Sequence, residues 1–440
     1  MARIYPFRAW RYNPSAVRLA DVVTQPYDKI SPAMQQAYYQ RSPYNLVRII
    51  LGLPELFDAE KGENVYSRAA RDFRAWREQG VLIQEHDPCV FAYAQRFQVP
   101  GTDIVKERRG FIALGKLQDY SEKVVFRHEQ TLSKPKSDRL NLLKATRAHF
   151  GQIFMLYSDP SGSVEKNLYD GNGAADAEIT DEYGVLHRLW RVNNPATIRL
   201  LTTAMEDKKL IIADGHHRYE TALTYRNERR AADSSPSAAG HSSPSEFVMM
   251  TFVNMNSPAL LILPTHRLVH SLPSFSEETF RQSARAYFDV DEIDPALDAP
   301  RATAMLRECG RSGTTLLAVT ANRTFLLHHP NPNRPEVFAG LSIRQQSLDV
   351  VQLHKCLLEK VLILSEESIR NQQNISYIRD AAEALSQVRD ASAHANIAFL
   401  MNPCRMAQVR NIAFAGEVMP QKSTDFYPKL LSGLTVYALD

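Results

Sequence analysis

Ile211-Ile212-Ala213-Asp214-Gly215-His216-His217-Arg218-Tyr219-Glu220-Thr221-Ala222-Leu223 is an apolar run that stops at Asp-Gly and passes at once into helical spacing. Lys209 to Ala213 reads as a short buried strand, and Tyr219, Ala222, Leu223 and Arg226 share a helical face to Arg230. A strand that turns straight into a helix gathers the unsatisfied first-turn N–H groups and the positive end of the helix dipole at one point, a natural anion site. Gly215 permits the sharp turn and a close ligand approach, while His216, His217 and Arg218 add donors able to reach phosphate oxygens. Asp214 can hold a cation or take a substrate proton. The same residues also fit an N-cap, a turn and surface histidines. A zinc site is a further alternative, although adjacent histidines point apart and no HExxH or HxH pattern accompanies them.

Outward from this turn, two more stretches carry chemistry. Arg127-His128-Glu129-Gln130-Thr131 precedes Lys134, Lys136, Asp138 and Arg139. Cations hold a carboxylate ionised and suit a phosphate, so Glu129 is a candidate base with Arg127, His128 and Arg139 as substrate contacts, against an ordinary charged loop. Lys422, Ser423 and Thr424, after Met419-Pro420-Gln421, offer a second phosphate contact, but no glycine-rich loop precedes them and they form no Walker motif. Pro26-Tyr27-Asp28 and Thr265-His266-Arg267 read equally well as a turn and a strand end.

The chain has 440 residues, 44% hydrophobic and 23% charged, with 24 Pro and 18 Gly. That balance excludes global disorder, collagen and coiled coil and makes two or three compact units the expectation. A net charge of +3 argues against a surface built to coat a polyanion, so nucleic acid is not an expected partner. No apolar run approaches the roughly 20 residues of a membrane span, and no h-region follows the first residues, so a cytoplasmic protein without a membrane partner is expected. Cys89, Cys309, Cys356 and Cys404 lie far apart and are expected to be reduced.

Residues 1–120 read as an N-terminal α/β segment, 121–340 as the phosphate-binding core with a flexible insert at 231–245, and 341–440 as a C-terminal α/β segment packed on it. Val65 to Gly80 has helical spacing; Cys89 to Val99 and Phe111 to Leu117 read as a hairpin turning near Pro100-Gly101. A helix is expected from caps at Ser137-Asp138, a strand at Ile153 to Tyr157, a hairpin of Thr314 to Thr320 with Thr324 to Leu327 around Asn322, and a pairing of Phe247 to Val253 with Leu260 to Leu263. Helices at Leu348 to Leu362, Ala381 to Val388 and Met406 to Ala415 alternate with strands near Ile375 and Ile397.

Taken together, Pro26-Tyr27-Asp28 with Ile30-Ser31, Arg127-His128-Glu129 with Thr131 and Asp138-Arg139-Leu140, Ala213 to Ala222, and Pro420 to Thr424 with Pro428-Lys429 resemble the markers of domain-of-unknown-function family 1015. The Asp-Gly-His-His-Arg turn is similar to that of the ParB/sulfiredoxin-like group, whose members bind nucleotide phosphates there. The resemblance implies an α+β fold with a ParB/sulfiredoxin-like mixed core and terminal α/β elaborations. Some relatives are kinases of free serine using a nucleotide or pyrophosphate donor, in which this turn binds phosphate and an upstream Glu deprotonates the serine hydroxyl. It therefore implies a small-molecule phosphotransferase, foremost a kinase of free L-serine, with Mg²⁺ accompanying ATP, ADP or pyrophosphate. Asp214, Gly215, His216, His217 and Arg218 match the turn, and assigning the base to Glu129 is an inference from the His-Glu pair. A ParB-like nucleotide-binding switch, or a phosphatase using the same anion pocket, stays open.

Overall fold

The computed structural model describes residues 1–440 except 60–61, 131–133, 170–172, 233–242 and 391–393. Most of the stretch expected to be a flexible insert, and Thr131, therefore lie outside the described residues. The chain forms a mixed α+β structure of two compact units. Unit 1 comprises Met1–Arg127, Thr131–Leu261 and Pro428–Asp440; unit 2 comprises His128–Gln130 and Ile262–Tyr427. Positions 120 and 340 fall inside these units, because the strands on either side of residue 120 belong to one sheet.

Unit 1 is built on a nine-stranded sheet: β1 (Ile4–Tyr5), β2 (Val90–Gln98), β3 (Val105–Lys116), β4 (Val125–Phe126), β5 (Ile153–Tyr157), β6 (Ala177–Thr180), β7 (Leu186–Val192), β8 (Leu210–Asp214) and β9 (Phe247–Asn254). The order is β4-β8-β5-β9-β3-β2-β7-β6, with β1 added on β3. The expected hairpin forms as β2 and β3, in register from Phe91↔Ile112 to Gln98↔Val105. At the turn Gly101 takes φ +74°, a left-handed conformation that glycine adopts without a Cβ clash.

Helix α1 (Val65–Glu78) starts with a reciprocal cap: Asn64 accepts from the Tyr66 and Ser67 N–H groups, and the Ser67 side chain accepts from the Asn64 N–H. It buries Ala69, Phe73 and Trp76 with Tyr12, Phe150 and Val436. Helix α2 (Lys134–Thr146) begins before the expected caps. Pro135 is tolerated in its first turn, so Ser137 and Asp138 lie within the helix; Asp138 accepts from the Tyr66 hydroxyl at 2.9 Å. Helix α3 (His216–Ala232) follows β8 and packs Tyr219, Ala222 and Leu223 into the core with Ile153, Met155, Ile212 and Phe252. Each fully buried apolar side chain contributes about 1.5–3 kcal/mol, and it is this packing that fixes where β8 stops and α3 starts.

Unit 2 has a six-stranded antiparallel sheet of β10 (His266–His270), β11 (Asp289–Ile293), β12 (Thr315–Val319), β13 (Thr324–His328), β14 (Ile375–Ile378) and β15 (Ala395–Met401), in the order β11-β13-β12-β15-β10-β14. Helices α4 (Ala299–Cys309) and α5 (Ala381–Arg389) pack Leu306 and Leu385 against Leu268, Leu317 and Leu400. Two expectations are corrected. Phe247 to Val253 does not pair with Leu260 to Leu263: β3 and β5 occupy both edges of β9, and the strand Leu261–Leu263 pairs with Asp425–Tyr427. The segment expected as one regular helix from Leu348 is a short α-turn, Asp349–Gln352, continued by a wider π-helix, Leu353–Val361.

Candidate functional site

Leu210, Ile211, Ile212 and Ala213 are buried between β4 and β5. The ladder to β5 runs Ile212↔Met155 and then Asp214↔Phe154, which leaves Ala213 as a bulge at the strand end. A bulge bends its strand and re-aims the side chains after it. Gly215 takes φ +92°, and its carbonyl accepts the Tyr219 N–H at 2.9 Å to open α3. The N–H groups of the first helical turn, from His216 onward, have no acceptor within the helix.

Arg218 lies across this turn. Its Nη2 donates to Asp214 Oδ2 at 3.0 Å and its Nη1 to the Gln152 carbonyl. The guanidinium occupies the space above two glycines: a Cβ on Gly215 would come to 3.1 Å from it, and one on Gly151 to 3.2 Å. Lys429 Nζ stands 3.7 Å from Asp214 Oδ1. Burial opposes ionisation of Asp214, but Lys429, Arg218, Lys29 and His216 outweigh it and hold the carboxyl well below its usual range. Asp214 is thus ionised and outnumbered by cations.

Lys429 was not among the expected site residues. It is itself held by its backbone: Gln95 Nε2 donates to its carbonyl at 2.7 Å, and the buried Arg108 binds Gln95 Oε1 and the Pro428 carbonyl. Pro428-Lys429 was visible as a motif, but nothing local in it points to Asp214.

Beside the turn is a cavity of about 70 Å³ lined by Tyr27, Arg139, Gly151, Arg218, Thr221 and Ser432, among others. Arg139 stacks over the Tyr27 ring at 4.1 Å and donates to the Ile50 carbonyl at 2.7 Å. Burial, opposed by Arg139 and Arg218, pushes the Tyr27 hydroxyl up to about 12. The buried Thr221 hydroxyl makes no hydrogen bond among the described residues. Arg127 is placed differently: it lies 3.7 Å from Glu220, which also binds Lys136, so these cations balance a helix carboxylate.

The remaining expected residues belong to unit 2. His128 is fully buried, with Nε2 2.8 Å from the Thr424 hydroxyl. Glu129 bridges in parallel to Met419, and its carboxylate accepts the backbone N–H of Lys422, which has φ +58°. Ser423 donates to the Pro420 carbonyl, and Arg267 Nη2 donates to the Lys422 carbonyl at 3.0 Å. Burial lowers the Arg267 pKa, partly offset by Tyr377, Cys404 and Glu129. His128, Glu129, Lys422, Ser423 and Thr424 thus meet around one turn, whereas Asp214, Gly215, His216, His217, Arg218, Arg127 and Arg139 belong to unit 1. The unit 1 turn has the build of an anion site.

No curated protein matches the chain in sequence. Among solved structures, a free serine kinase variant in complex with ADP is similar at 12% identity and a TM-score of 0.39, covering 77% of this chain and 98% of its own. A conserved hypothetical protein from Pyrococcus furiosus is similar at 11% identity and a TM-score of 0.38, covering 74% and 95%. SbnI with a C-terminal truncation, from Staphylococcus aureus, is similar at 9% identity and a TM-score of 0.34, covering 74% and 87%. The family model described as a protein of unknown function, DUF1015, matches residues 4–351, a span that includes the Tyr27, Glu129 and Asp214 to Arg218 motifs; the chain belongs to that family.

Proposed function

We propose that this chain is a small-molecule phosphotransferase that binds the phosphates of a nucleotide or pyrophosphate at the Asp214 to Arg218 turn and transfers one to free L-serine. The observation that carries the reading is the turn itself: a buried strand ending in a bulge, Gly215 at positive φ, the N-terminus of a 17-residue helix, and one carboxylate set among Arg218, Lys429 and Lys29. Phosphoryl transfer needs positioning and charge neutralisation more than covalent chemistry, and this turn is suited to both. The acceptor is read from the likeness of the Asp-Gly-His-His-Arg sequence to that of free serine kinases.

Glu129, whose carboxylate accepts the Lys422 N–H within unit 2, is the candidate for the proton of the attacking hydroxyl on the strength of the His-Glu pair in the sequence. Mg²⁺ suits this scheme as part of the donor, because Asp214 is already engaged by Arg218 and Lys429. Bound there, it would neutralise phosphate charge. The test is to incubate the pure protein with L-serine and Mg²⁺ and, separately, ATP, ADP or pyrophosphate, following phosphoserine by ³¹P NMR. Phosphoserine with one donor, dependent on serine, is expected. No product with any donor, or release of inorganic phosphate alone, would overturn the reading.

A further inference from the structure

Asp289, His328 and His329 lie at one end of the unit 2 sheet, where β11 begins and β13 ends. Asp289 and His328 face each other directly across that ladder. His329 takes a left-handed backbone, φ 47°, which is uncommon for a residue with a Cβ. The His328 and His329 rings come to 4.4 Å between centroids, with their Nδ1 atoms 2.9 Å apart. Asp289 Oδ2 is 3.1 Å from His329 Nδ1. One ligand atom from each of the three residues lies within 4.8 Å of the others, the group of this kind found among the described residues.

The far side of His328 decides its tautomer. Its Nε2 is 2.8 Å from Asp291 Oδ2, and an ionised carboxylate only accepts, so Nε2 carries a proton and, in the neutral imidazole that binds metal, Nδ1 presents the lone pair. A histidine braced from behind by a carboxylate is the arrangement that orients metal-ligating imidazoles. His328 Nδ1, His329 Nδ1 and Asp289 Oδ2 then converge with at most one proton among them, that of His329 Nδ1. A cation in its place would serve all three at once.

We propose that Asp289, His328 and His329 bind a divalent transition-metal ion of the zinc class, with the remaining coordination positions open to solvent. Two imidazole nitrogens and one carboxylate oxygen suit zinc, whereas magnesium and calcium take oxygen ligands. Tetrahedral bonds of about 2.0–2.1 Å put ligand atoms about 3.3 Å apart, so the 2.9 Å pair must open by a few tenths of an ångström. The exposed His329 can supply that movement. Binding through His329 Nδ1 moves the ring proton to Nε2 by exchange with solvent water, so the imidazole stays neutral and no net proton is lost. The site uses none of the residues assigned to phosphoryl transfer.

The test is calorimetric titration of the chelator-stripped full chain with ZnCl₂ at neutral pH, beside His329→Gly and Asp291→Asn. Glycine accepts the left-handed backbone, so His329→Gly should keep its melting temperature while binding one zinc fewer than the wild type. Asp291→Asn should keep the stoichiometry but weaken that zinc by about 10–100-fold. Co²⁺ in place of zinc should give visible absorption bands that His329→Gly loses. Equal stoichiometry and affinity in wild type and His329→Gly would overturn the site. If His329→Gly loses stability, Asp291→Asn decides, and unchanged affinity there overturns it.

Discussion

Arg218 donates to both Asp214 and the Gln152 carbonyl, so its guanidinium is fixed over Gly215 before any ligand arrives. Replacing it with Ala removes a charge-assisted contact worth about 1.5–3 kcal/mol. Pyrophosphate affinity should fall by about tenfold or more in calorimetry, and unchanged affinity would remove the turn from consideration as a phosphate site. Asp214 gives the pH dependence. Its folded pKa lies below the unfolded value of about 3.9, so its ionised pairing stabilises the fold above that pH and is lost as pH falls through the folded value. Asp214→Asn should therefore melt lower than the wild type at pH 7, and the gap should narrow once the pH drops below about 4. A gap that stays constant would mean the pairing contributes nothing. For Glu129→Gln the carboxamide oxygen can still accept the Lys422 N–H, so the melting temperature should hold while turnover falls by about 10²-fold. Full activity in that variant would end the assignment of Glu129 as base. The residues of the Asp214 turn were legible because a strand, a Gly and a helix follow one another locally. Lys429 was not, since it reaches Asp214 only through the packing of a segment more than two hundred positions away.

Strands β3 and β9 show how tightly the elements of the unit 1 sheet are matched. A Cβ on Gly110 would stand 2.5 Å from the Phe252 carbonyl oxygen, a backbone atom locked in the ladder. On Gly115 the contact would be with the Met250 sulfur, the flexible end of a side chain. Gly110→Ala should therefore cost about 1–3 kcal/mol, and Gly115→Ala distinctly less, as read by urea denaturation; the reverse order would show that the strand pair yields more easily than Met250. The β2–β3 hairpin was readable because a turn of Pro and Gly separates two apolar runs close in sequence. The partner of Leu261–Leu263 was not readable. It depends on which sheet edges are already filled, and β9 has none to offer. Likewise the expected N-caps Ser137 and Asp138 matched a local pattern, but Pro135 favours an earlier helix start and the Tyr66 hydroxyl binds Asp138 from another element.

At the scale of the whole molecule, 52 Lys and Arg stand against 49 Asp and Glu. Many of the described cations are engaged locally: Arg323 binds Glu278 and Glu292, Arg68 binds Asp58, Arg191 reaches Glu85 and Arg230 binds Glu246. Duplex affinity grows with the number of phosphates neutralised, because each releases condensed counterions, and a cation already paired gives up a carboxylate contact to bind one. Phosphate recognition is expected instead at the Asp214 turn, where Lys429, Arg218 and Lys29 outnumber a single carboxylate. In fluorescence anisotropy, a labelled DNA duplex should bind no more tightly than the roughly 10⁻⁴–10⁻⁶ M of non-specific complexes. That binding should vanish on raising KCl from about 50 to about 200 mM. Pyrophosphate binding should change little over the same range, because the partly enclosed Arg218 and Lys429 are screened less than exposed charges. Sequence-selective duplex binding that survives the higher salt would instead favour a nucleotide-controlled switch acting on DNA, and the two titrations run side by side distinguish the outcomes.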